Sequence, residues 1–312
     1  MQYTHLGQTG VQIPRVCLGT MTFGKEADEK ASFLIMDYAI DIGINFFDTA
    51  DLYCNGLAEE ILGRWLQGKR DQIVLASKVH FPTGDGVNDR GSSRRHIIKA
   101  VERSLIRLNT DRLDILYLHH WDEDTALEYT LSGLTTLVRQ GKIRHIGVSN
   151  FSAWQTVKSI HIATIKGLTP IVCIQPMYSL VKRQAEVDIL PMAASEKLAV
   201  FPYSPLGAGL LTGKYHQNET GRLHESEMYR KRFERKQYWD IAESFTKYAT
   251  TVGISPAALA VAWVASHPTV TAPVIGARNM KQLKDTLEFL DVNLSAEDRA
   301  KITALSVDPQ DL

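Results

Sequence analysis

The chain has 312 residues, of which 44 % are apolar and 22 % are charged, a composition typical of a globular protein. Its 35 basic residues balance its 35 acidic ones, so net charge gives no basis for binding nucleic acid or an anionic membrane. No signal peptide is visible, and no apolar run approaches the roughly 20 residues of a membrane span, so we predict a cytoplasmic protein with neither kind of partner.

Strand-like segments recur along the chain, beginning with a predicted hairpin. Residues 3–6 and 11–13 are joined by a glycine-containing loop, as in two antiparallel strands. Eight short apolar or β-branched runs follow, and amphipathic stretches lie between them. They begin near Val16, Ile44, Ile73, Leu113, His145, Ile171, Ala199 and Pro273. Because one strand–helix unit takes roughly 30 residues, eight such units favour a (β/α)8 TIM barrel preceded by a β-hairpin.

Helices are predicted between these strands. A helical stripe of apolar residues runs through Leu127, Leu131, Leu134 and Val138, and residues 97–108 carry a second one. Ser152, Ser255 and Asn279 are each placed to begin a helix, and Ser255 is followed by a proline at the first turn.

The last interval, from Ala199 to Pro273, spans 74 residues and exceeds one unit. We therefore expect two extra helices. Residues 214–238 are polar, highly charged and poor in β-branched residues. They fit either a solvated surface excursion or a mobile loop over the active-site mouth, since barrel sites lie among the loops that follow the strands. No linker interrupts the chain, so residues 1–312 are predicted to form one domain.

Three widely spaced cysteines, Cys17, Cys54 and Cys173, form neither a CxxC motif nor a Cys/His cluster. We expect no metal site and no disulfide framework.

Polar residues are predicted at three adjacent strand ends, where barrel enzymes place catalytic groups. Asp48 ends the second strand of the barrel, Lys78 the third and His119 the fourth, and Tyr53 lies in the loop after the second. Each alone has an ordinary structural interpretation, such as a capped aspartate or a satisfied core histidine. The four together favour a catalytic site.

These four residues suit the reduction of a carbonyl by hydride, which requires a proton for the carbonyl oxygen. Tyrosine, with an ordinary pKa of about 10, donates poorly unless a neighbouring cation lowers that pKa by roughly 1–3 units. Lys78 is placed to do so, with Asp48 as its counter-ion. Tyr53 is then the general acid, and a neutral His119 holds the substrate oxygen. His120 is a rival for His119, although alternation along the strand sends their side chains to opposite faces.

Residues 43–50, with Tyr53 after them, resemble the first signature of the aldo-keto reductases, and residues 141–151 are similar to the second. The similarity runs along nearly the whole chain and is greatest to the longer, potassium-channel-β-like branch. The four residues above match the family's catalytic positions without substitution. The resemblance implies an NADPH-dependent oxidoreductase that reduces aldehydes or ketones to alcohols.

The same resemblance implies three groups of NADPH-binding residues. The nicotinamide would contact Ser149, Asn150, Gln175 and the Tyr203 ring, with Gly19, Thr20 and Met21 near its ribose. The diphosphate would contact Ser204, Leu206, Gly207, Gly209, Leu210 and Lys214. The 2′-phosphate and adenine would contact Gly276, Arg278, Gln282, Asp285 and Thr286. Ala277 stands where many relatives carry lysine, so we expect a moderate preference for NADPH over NADH.

Other nucleotide-binding motifs fit poorly. Residues 207–215 look superficially like a nucleoside-triphosphate loop, but their glycine spacing is one residue too long and Tyr215 replaces the magnesium-binding Ser or Thr. No GxGxxG follows the first strand, so no Rossmann site is predicted.

The substrate is the least determined part of the prediction. Phe23, Phe81 and Trp121 follow the first, third and fourth strands and would form an apolar wall for a small carbonyl substrate, or simply pack the loops. The sequence selects no particular carbonyl compound and no oligomeric state.

Two other functions are compatible with parts of the pattern. A Schiff-base aldolase would use Lys78 as its nucleophile, but it leaves Asn150, Gln175, Tyr203 and Arg278 without a role. A cofactor-binding regulatory subunit of a channel or other complex is suggested by the channel-β branch. The intact catalytic set argues for turnover instead.

Overall fold

The computed structural model describes residues 1–217 and 220–311. Two short strands, β1 (Tyr3–His5) and β2 (Gln12–Pro14), pair antiparallel and form the predicted hairpin. Leu6 and Ile13 are fully buried in the same cluster as Phe46 and Ile115 of the barrel strands. The hairpin therefore covers the end of the barrel where the strands begin.

Eight parallel strands follow, each beginning within two residues of its predicted start. They are β3 (Cys17–Gly19), β4 (Phe46–Asp48), β5 (Val74–Val79), β6 (Leu113–Leu118), β7 (Ile143–Ser149), β8 (Ile171–Gln175), β9 (Ala199–Val200) and β10 (Val274–Ile275). Their order is β10-β3-β4-β5-β6-β7-β8-β9. Neighbours in the sheet are thus neighbours in the chain, except that β10 pairs with β3.

Backbone hydrogen bonds join β9 to the segment that leads into β10. The Thr271 N–H donates to Val200 O at 2.9 Å, and the Val274 N–H donates to Pro202 O at 2.8 Å. The Val200 N–H donates to the Thr271 side-chain oxygen, also at 2.9 Å. Because β10 also pairs with β3, the eight strands close into a ring. The predicted (β/α)8 barrel is confirmed.

The described helices surround this ring. They are α1 (Glu29–Asp41), α2 (Leu57–Trp65), α3 (Arg94–Arg107), α4 (Leu127–Arg139), α5 (Ala153–Lys166), α6 (Ile189–Ser195), α7 (Arg222–Glu225), α8 (Glu227–Arg232), α9 (Lys236–Val252), α10 (Pro256–Ala265), α11 (Met280–Leu287) and α12 (Ala296–Thr303). The first six barrel strands are each followed by one such helix. Among the described residues four helices exceed one per strand, where two were expected: α7, α8 and α9 precede α10, and α12 follows α11. Of these, α7 and α8 are short, with four and six residues.

Local capping explains where several helices begin. Ser152 and Gln155 form a reciprocal capping box at α5, and the Asn279 side chain accepts from the Gln282 N–H at α11. Ser255 precedes α10, where its side chain makes no capping bond and Pro256 occupies the first position. All three predicted helix starts are therefore found.

Helix α10 is apolar around its whole circumference and lies in the core between sheet and outer helices. Across the described ranges, no single helix has the length and apolarity needed to cross a membrane. Within those ranges, one pair of helices, α9 and α10, satisfies the length and composition when taken together across a bend of 101°.

Candidate active site

The ends of β4 and β5 bring Asp48 and Lys78 together inside the barrel. Lys78 Nζ lies 2.5 Å from Asp48 Oδ2, and the two side chains are 0 % and 3 % exposed. The same ammonium donates to Thr49 O at 2.8 Å. Burial lowers the pKa of Lys78, but Asp48 and Tyr53 raise it above its ordinary value overall. Lys78 is therefore a buried cation with its counter-charge in place.

Tyr53 begins a short turn, Tyr53–Gly56, directly beside this pair. Lys78 Nζ donates to the Tyr53 hydroxyl at 3.2 Å. Burial raises the pKa of that hydroxyl and Lys78 lowers it, and the net direction is upward. We expected a lowered pKa from the sequence, which does not show how closely the hydroxyl is enclosed. Tyr53 is protonated at neutral pH, as a proton donor must be.

His119 follows β6 and lies next to Tyr53, with ring centroids 6.2 Å apart. Burial, together with the charge on Lys78, holds the pKa of His119 well below its ordinary value, so its imidazole is neutral. Its Nδ1 is buried and has no hydrogen-bond partner in the described part of the chain. His120 is exposed, and its Nδ1 lies 2.8 Å from Trp121 O. The geometry therefore places His119, rather than His120, next to Tyr53.

A second polar network adjoins the first at the ends of β7 and β8. Gln175 donates to Asp48 Oδ1 at 3.0 Å, and the Ser149 hydroxyl donates to Gln175 O at 2.9 Å. Asn150 donates to His119 O at 2.9 Å and accepts from the Tyr203 hydroxyl at 2.7 Å. The structure thus gathers the four residues predicted for the nicotinamide into one network that includes Asp48.

The end of β3 lies across the barrel mouth from this network. Thr20 donates to Asp48 O at 3.1 Å, and the Met21 sulfur lies 3.6 Å from the hydroxyl of Tyr229 on α8. A Cβ at Gly19 would lie 3.0 Å from Val274 and 3.3 Å from Ile275 O. The first and eighth units are therefore in close contact at the mouth.

The loop after β9 turns sharply several times. Ser204, Gly207, Ala208 and Gly209 all have left-handed φ values, between 56° and 91°. Consecutive left- and right-handed residues turn backbone N–H groups toward a concave anion site. The loop includes Leu206 and Leu210; the Leu210 side chain is fully buried, which leaves only its backbone for a ligand.

Lys214 lies against Gly209 of this loop. A Cβ at Gly209 would lie 2.9 Å from Lys214 Cε and 3.3 Å from its ammonium. The glycine therefore makes room for a cation beside the turn, and this arrangement fits a diphosphate.

Arg278 lies just after β10, but its charge is engaged by two carboxylates. Its Nη2 is 2.7 Å from Glu225 Oε2 and 3.5 Å from Glu26 Oε1. Its backbone N–H donates to the Gln282 side chain at 3.0 Å. The sequence did not point to Glu26 or Glu225, because both lie in polar segments without periodicity. Of the remaining residues predicted here, Gly276 is exposed, Asp285 half-buried and Thr286 buried.

The segment 214–238 lies over the barrel mouth, although Asn218 and Glu219 within it fall outside the described residues. Leu223, Tyr229 and Phe233 are buried, and Glu225 reaches Arg278 across the mouth. The segment is therefore packed onto the barrel and is not a solvated excursion. Its mobility stays a prediction.

The three aromatic residues predicted for the substrate lie in different surroundings. The Phe81 ring is 5.0 Å from that of His119, and the Trp121 ring packs on Phe151 at 5.3 Å. Phe23 is fully buried in the layer between sheet and outer helices. The prediction for Phe23 is wrong, because its side chain has no surface to offer a substrate.

Cys17 and Cys173 are buried and Cys54 is half-buried, and all three are free. In the described ranges, no three His, Cys, Asp or Glu side chains form a group suited to a metal ion.

Comparison with known proteins agrees with this geometry. The sequence profile of the Aldo/keto reductase family matches residues 15–307. The chain is 40 % identical to the uncharacterized oxidoreductase YrpG of Bacillus subtilis, over 95 % of this chain and 93 % of that protein. It is 35 % identical to the aldo-keto reductase YhdN of the same organism, over 98 % and 93 %. A probable voltage-gated potassium channel subunit beta of Arabidopsis thaliana is 33 % identical, over 94 % and 92 %. The chain therefore belongs to the aldo/keto reductase family of oxidoreductases.

Proposed function

We propose that the protein is an NADPH-dependent oxidoreductase that reduces aldehydes and ketones to alcohols, with Tyr53 as the general acid. The observation that carries this proposal is the position of the Lys78 ammonium between the Asp48 carboxylate and the Tyr53 hydroxyl. The neutral imidazole of His119 lies beside the same hydroxyl.

The chemistry divides between a bound nicotinamide and the chain's own residues. Reduced nicotinamide supplies hydride to the carbonyl carbon. Tyr53 gives its hydroxyl proton to the carbonyl oxygen as negative charge develops there. Lys78 stabilises the tyrosinate that remains, and Asp48 keeps Lys78 charged and oriented. His119 donates a hydrogen bond to the substrate oxygen and so holds the carbonyl toward Tyr53.

Several observations support a nicotinamide dinucleotide as the cofactor. Ser149, Asn150 and Gln175 would hold the carboxamide, with Tyr203 against the ring. The turn at Ser204–Gly209, with Lys214 beside it, would hold the diphosphate. Arg278 offers a planar cation to a 2′-phosphate, and this favours NADPH over NADH.

Loss of NADPH absorbance in the presence of a panel of aldehydes and ketones tests the proposal. We expect turnover with at least one class of carbonyl compound and an alcohol as the product. Tight NADPH binding without any turnover across the panel would contradict reduction as the activity. It would favour the second candidate, a cofactor-binding subunit, which the likeness to the Arabidopsis channel subunit suggests.

The aldolase alternative loses support from the charge on Lys78. A lysine that forms a Schiff base must be neutral to attack a carbonyl. Asp48 and Tyr53 raise the pKa of Lys78 above its ordinary value and so oppose that role.

A further inference from the structure

Asp51 lies two residues before Tyr53 and is buried beneath the active-site loop. It is 2 % exposed, and no side chain of the described residues forms a hydrogen bond with either of its carboxyl oxygens, although the backbone N–H of Leu52 acts to lower its pKa. Its backbone N–H lies 3.3 Å from Lys78 O and the Tyr53 N–H donates to Ala50 O at 3.2 Å. The residue thus occupies the short connection between the catalytic lysine and the catalytic tyrosine.

The charged groups that face Asp51 are Glu59 of α2, Arg107 of α3 and Lys78 of β5. Glu59 is fully buried and accepts from the Ser77 hydroxyl at 2.6 Å. Its other oxygen accepts from Arg107 Nε at 2.8 Å and Nη2 at 2.7 Å. Lys78 is paired with Asp48. Each nearby cation already has a carboxylate, so Asp51 has no counter-charge of its own.

A buried carboxylate without a partner takes up a proton instead of staying charged. Burial, reinforced by the charge on Glu59, raises the pKa of Asp51 to about 8. At neutral pH the side chain is therefore a neutral acid.

We propose that Asp51 is a positioning residue whose protonation keeps Tyr53 against Lys78, and whose ionisation at alkaline pH displaces Tyr53. Ionisation adds a negative charge next to Glu59 in a space with little water. Movement of the loop away from Glu59 relieves that repulsion, and Tyr53 is two residues away in the same loop. The Tyr53 N–H donates to Ala50 O at 3.2 Å, so Asp51 lies within a hydrogen-bonded turn that ends at Tyr53, and a shift of Asp51 is passed on to Tyr53.

The ionisation of Asp51 can be distinguished from that of Tyr53, because the two occur in different pH ranges. The pKa of the Tyr53 hydroxyl lies above its ordinary value of 10.0, whereas that of Asp51 is about 8. A loss of reductase activity centred near pH 8 that disappears when Asp51 is replaced by Asn therefore belongs to Asp51. This readout rests on the proposed function.

The first experiment is the pH dependence of kcat between pH 6 and 10, normalised to each variant's own maximum. We expect the wild type to lose activity about tenfold per pH unit above its midpoint near pH 8, and D51N to lose this alkaline decline. In E59Q, Arg107 is released to pair with Asp51, so the midpoint should shift to lower pH. Asp71→Asn, at a side chain that is 91 % exposed, is the matched control and should keep the wild-type profile. A decline near pH 8 that persists in D51N would overturn the proposal.

The second experiment reads the position of Tyr53 without any activity. The protein is labelled with ring-¹³C tyrosine, which leaves the acidity of the phenol unchanged, and the carbon resonance that Y53F lacks is followed between pH 6 and 10. We expect this resonance to shift with a midpoint near pH 8 in the wild type and in D71N, and not in D51N. An identical shift in D51N would overturn the inference. If no carbonyl compound is reduced, the proposed function fails, and the carbon-13 titration still decides the role of Asp51.

Discussion

Two opposed effects act on the Tyr53 hydroxyl, and the stronger one is invisible in the sequence. Tyr53 and Lys78 are recognisable as partners because both lie at adjacent strand ends. Burial, which raises the pKa of Tyr53 more than Lys78 lowers it, depends on how loops from distant parts of the chain pack. Spacing therefore identifies the pair, whereas the strength of the acid follows only from the folded site.

Replacing Tyr53 by Phe should reduce carbonyl reduction by about 10²- to 10⁴-fold, the usual effect of losing a positioned general acid. NADPH binding should stay nearly intact, because the hydroxyl contacts Lys78 and not the predicted cofactor residues. Steady-state turnover together with fluorescence titration of NADPH measures both effects. Tyr129→Phe, at a tyrosine that is 68 % exposed, is the control. Activity within a few-fold of wild type would remove Tyr53 from the mechanism.

The stability of the protein should depend on pH through Asp51. The pKa of its carboxyl rises from an ordinary value of 3.8 to about 8 on folding, so folding takes up a proton between these values. The contribution of this group is fully present below the unfolded pKa and is lost as pH rises through the folded one. The unfolding temperature of the wild type should therefore fall relative to D51N from about pH 4 to about pH 8. A difference that does not change with pH would contradict the protonated state of Asp51.

At the scale of elements, α7 links two sides of the barrel mouth. Glu225 at its end reaches Arg278 after β10, and Glu26 from the loop after β3 approaches the same guanidinium. Any phosphate that uses Arg278 must compete with these carboxylates. Under the proposed function, the preference for NADPH would depend on Arg278, Glu225 and Glu26, of which the sequence pointed only to Arg278.

Replacing Arg278 by Ala should weaken NADPH binding. A hydrogen bond to a charged group contributes about 1.5–3 kcal/mol, which corresponds to roughly 10- to 150-fold in affinity. The observed loss should lie toward the lower end, because Arg278 exchanges one set of carboxylates for the phosphate. NADH, which lacks the 2′-phosphate, should change little. Dissociation constants for both cofactors at one ionic strength decide this, and equal weakening of both would contradict it.

Glu225→Gln should have the opposite effect on NADPH binding from Arg278→Ala. Removing one competing charge from Arg278 should strengthen NADPH binding by about 1.5- to 5-fold, since exposed ion pairs contribute about 0.2–1 kcal/mol. NADH binding measured in parallel is the internal reference. Weaker NADPH binding in this variant would show that Glu225 orients Arg278 instead of competing for it.

The elements themselves were largely predictable from periodicity, since every strand start lies within two residues of its expected position. Packing between elements was not. Phe23 follows a strand as Phe81 does, yet one is fully buried and the other lies by His119. Likewise nothing in the sequence around Glu59 distinguishes it from an exposed glutamate on a helix, although its side chain is fully buried and paired with Arg107. Local sequence determines the period of an element, and the contacts of one side chain depend on residues far away in the chain.

At the scale of the whole molecule, a side chain supplies one of the hydrogen bonds that close the ring. The buried Val200 N–H donates to the Thr271 hydroxyl where β9 meets the segment before β10. Thr271→Val should leave this N–H without a partner and lower the free energy of unfolding by about 1–3 kcal/mol. Thr271→Ser keeps the hydroxyl and should cost less. Urea unfolding of both variants measures the difference, and equal stability of the two would show that the hydroxyl does not contribute to closure.

The strands on either side of this junction, β9 and β10, have two residues each. The loops predicted to hold the cofactor, 203–214 and 276–286, leave the ring from these same two strands. A dinucleotide bound to both loops would connect β9 to β10, the two shortest strands of the barrel, and so would stabilise their junction. At one hundred times its dissociation constant such a ligand adds about 2.7 kcal/mol to stability. The lifetime of the folded enzyme in the cell would then follow the supply of its coenzyme, and depletion of that coenzyme would expose the barrel to proteolysis at the junction.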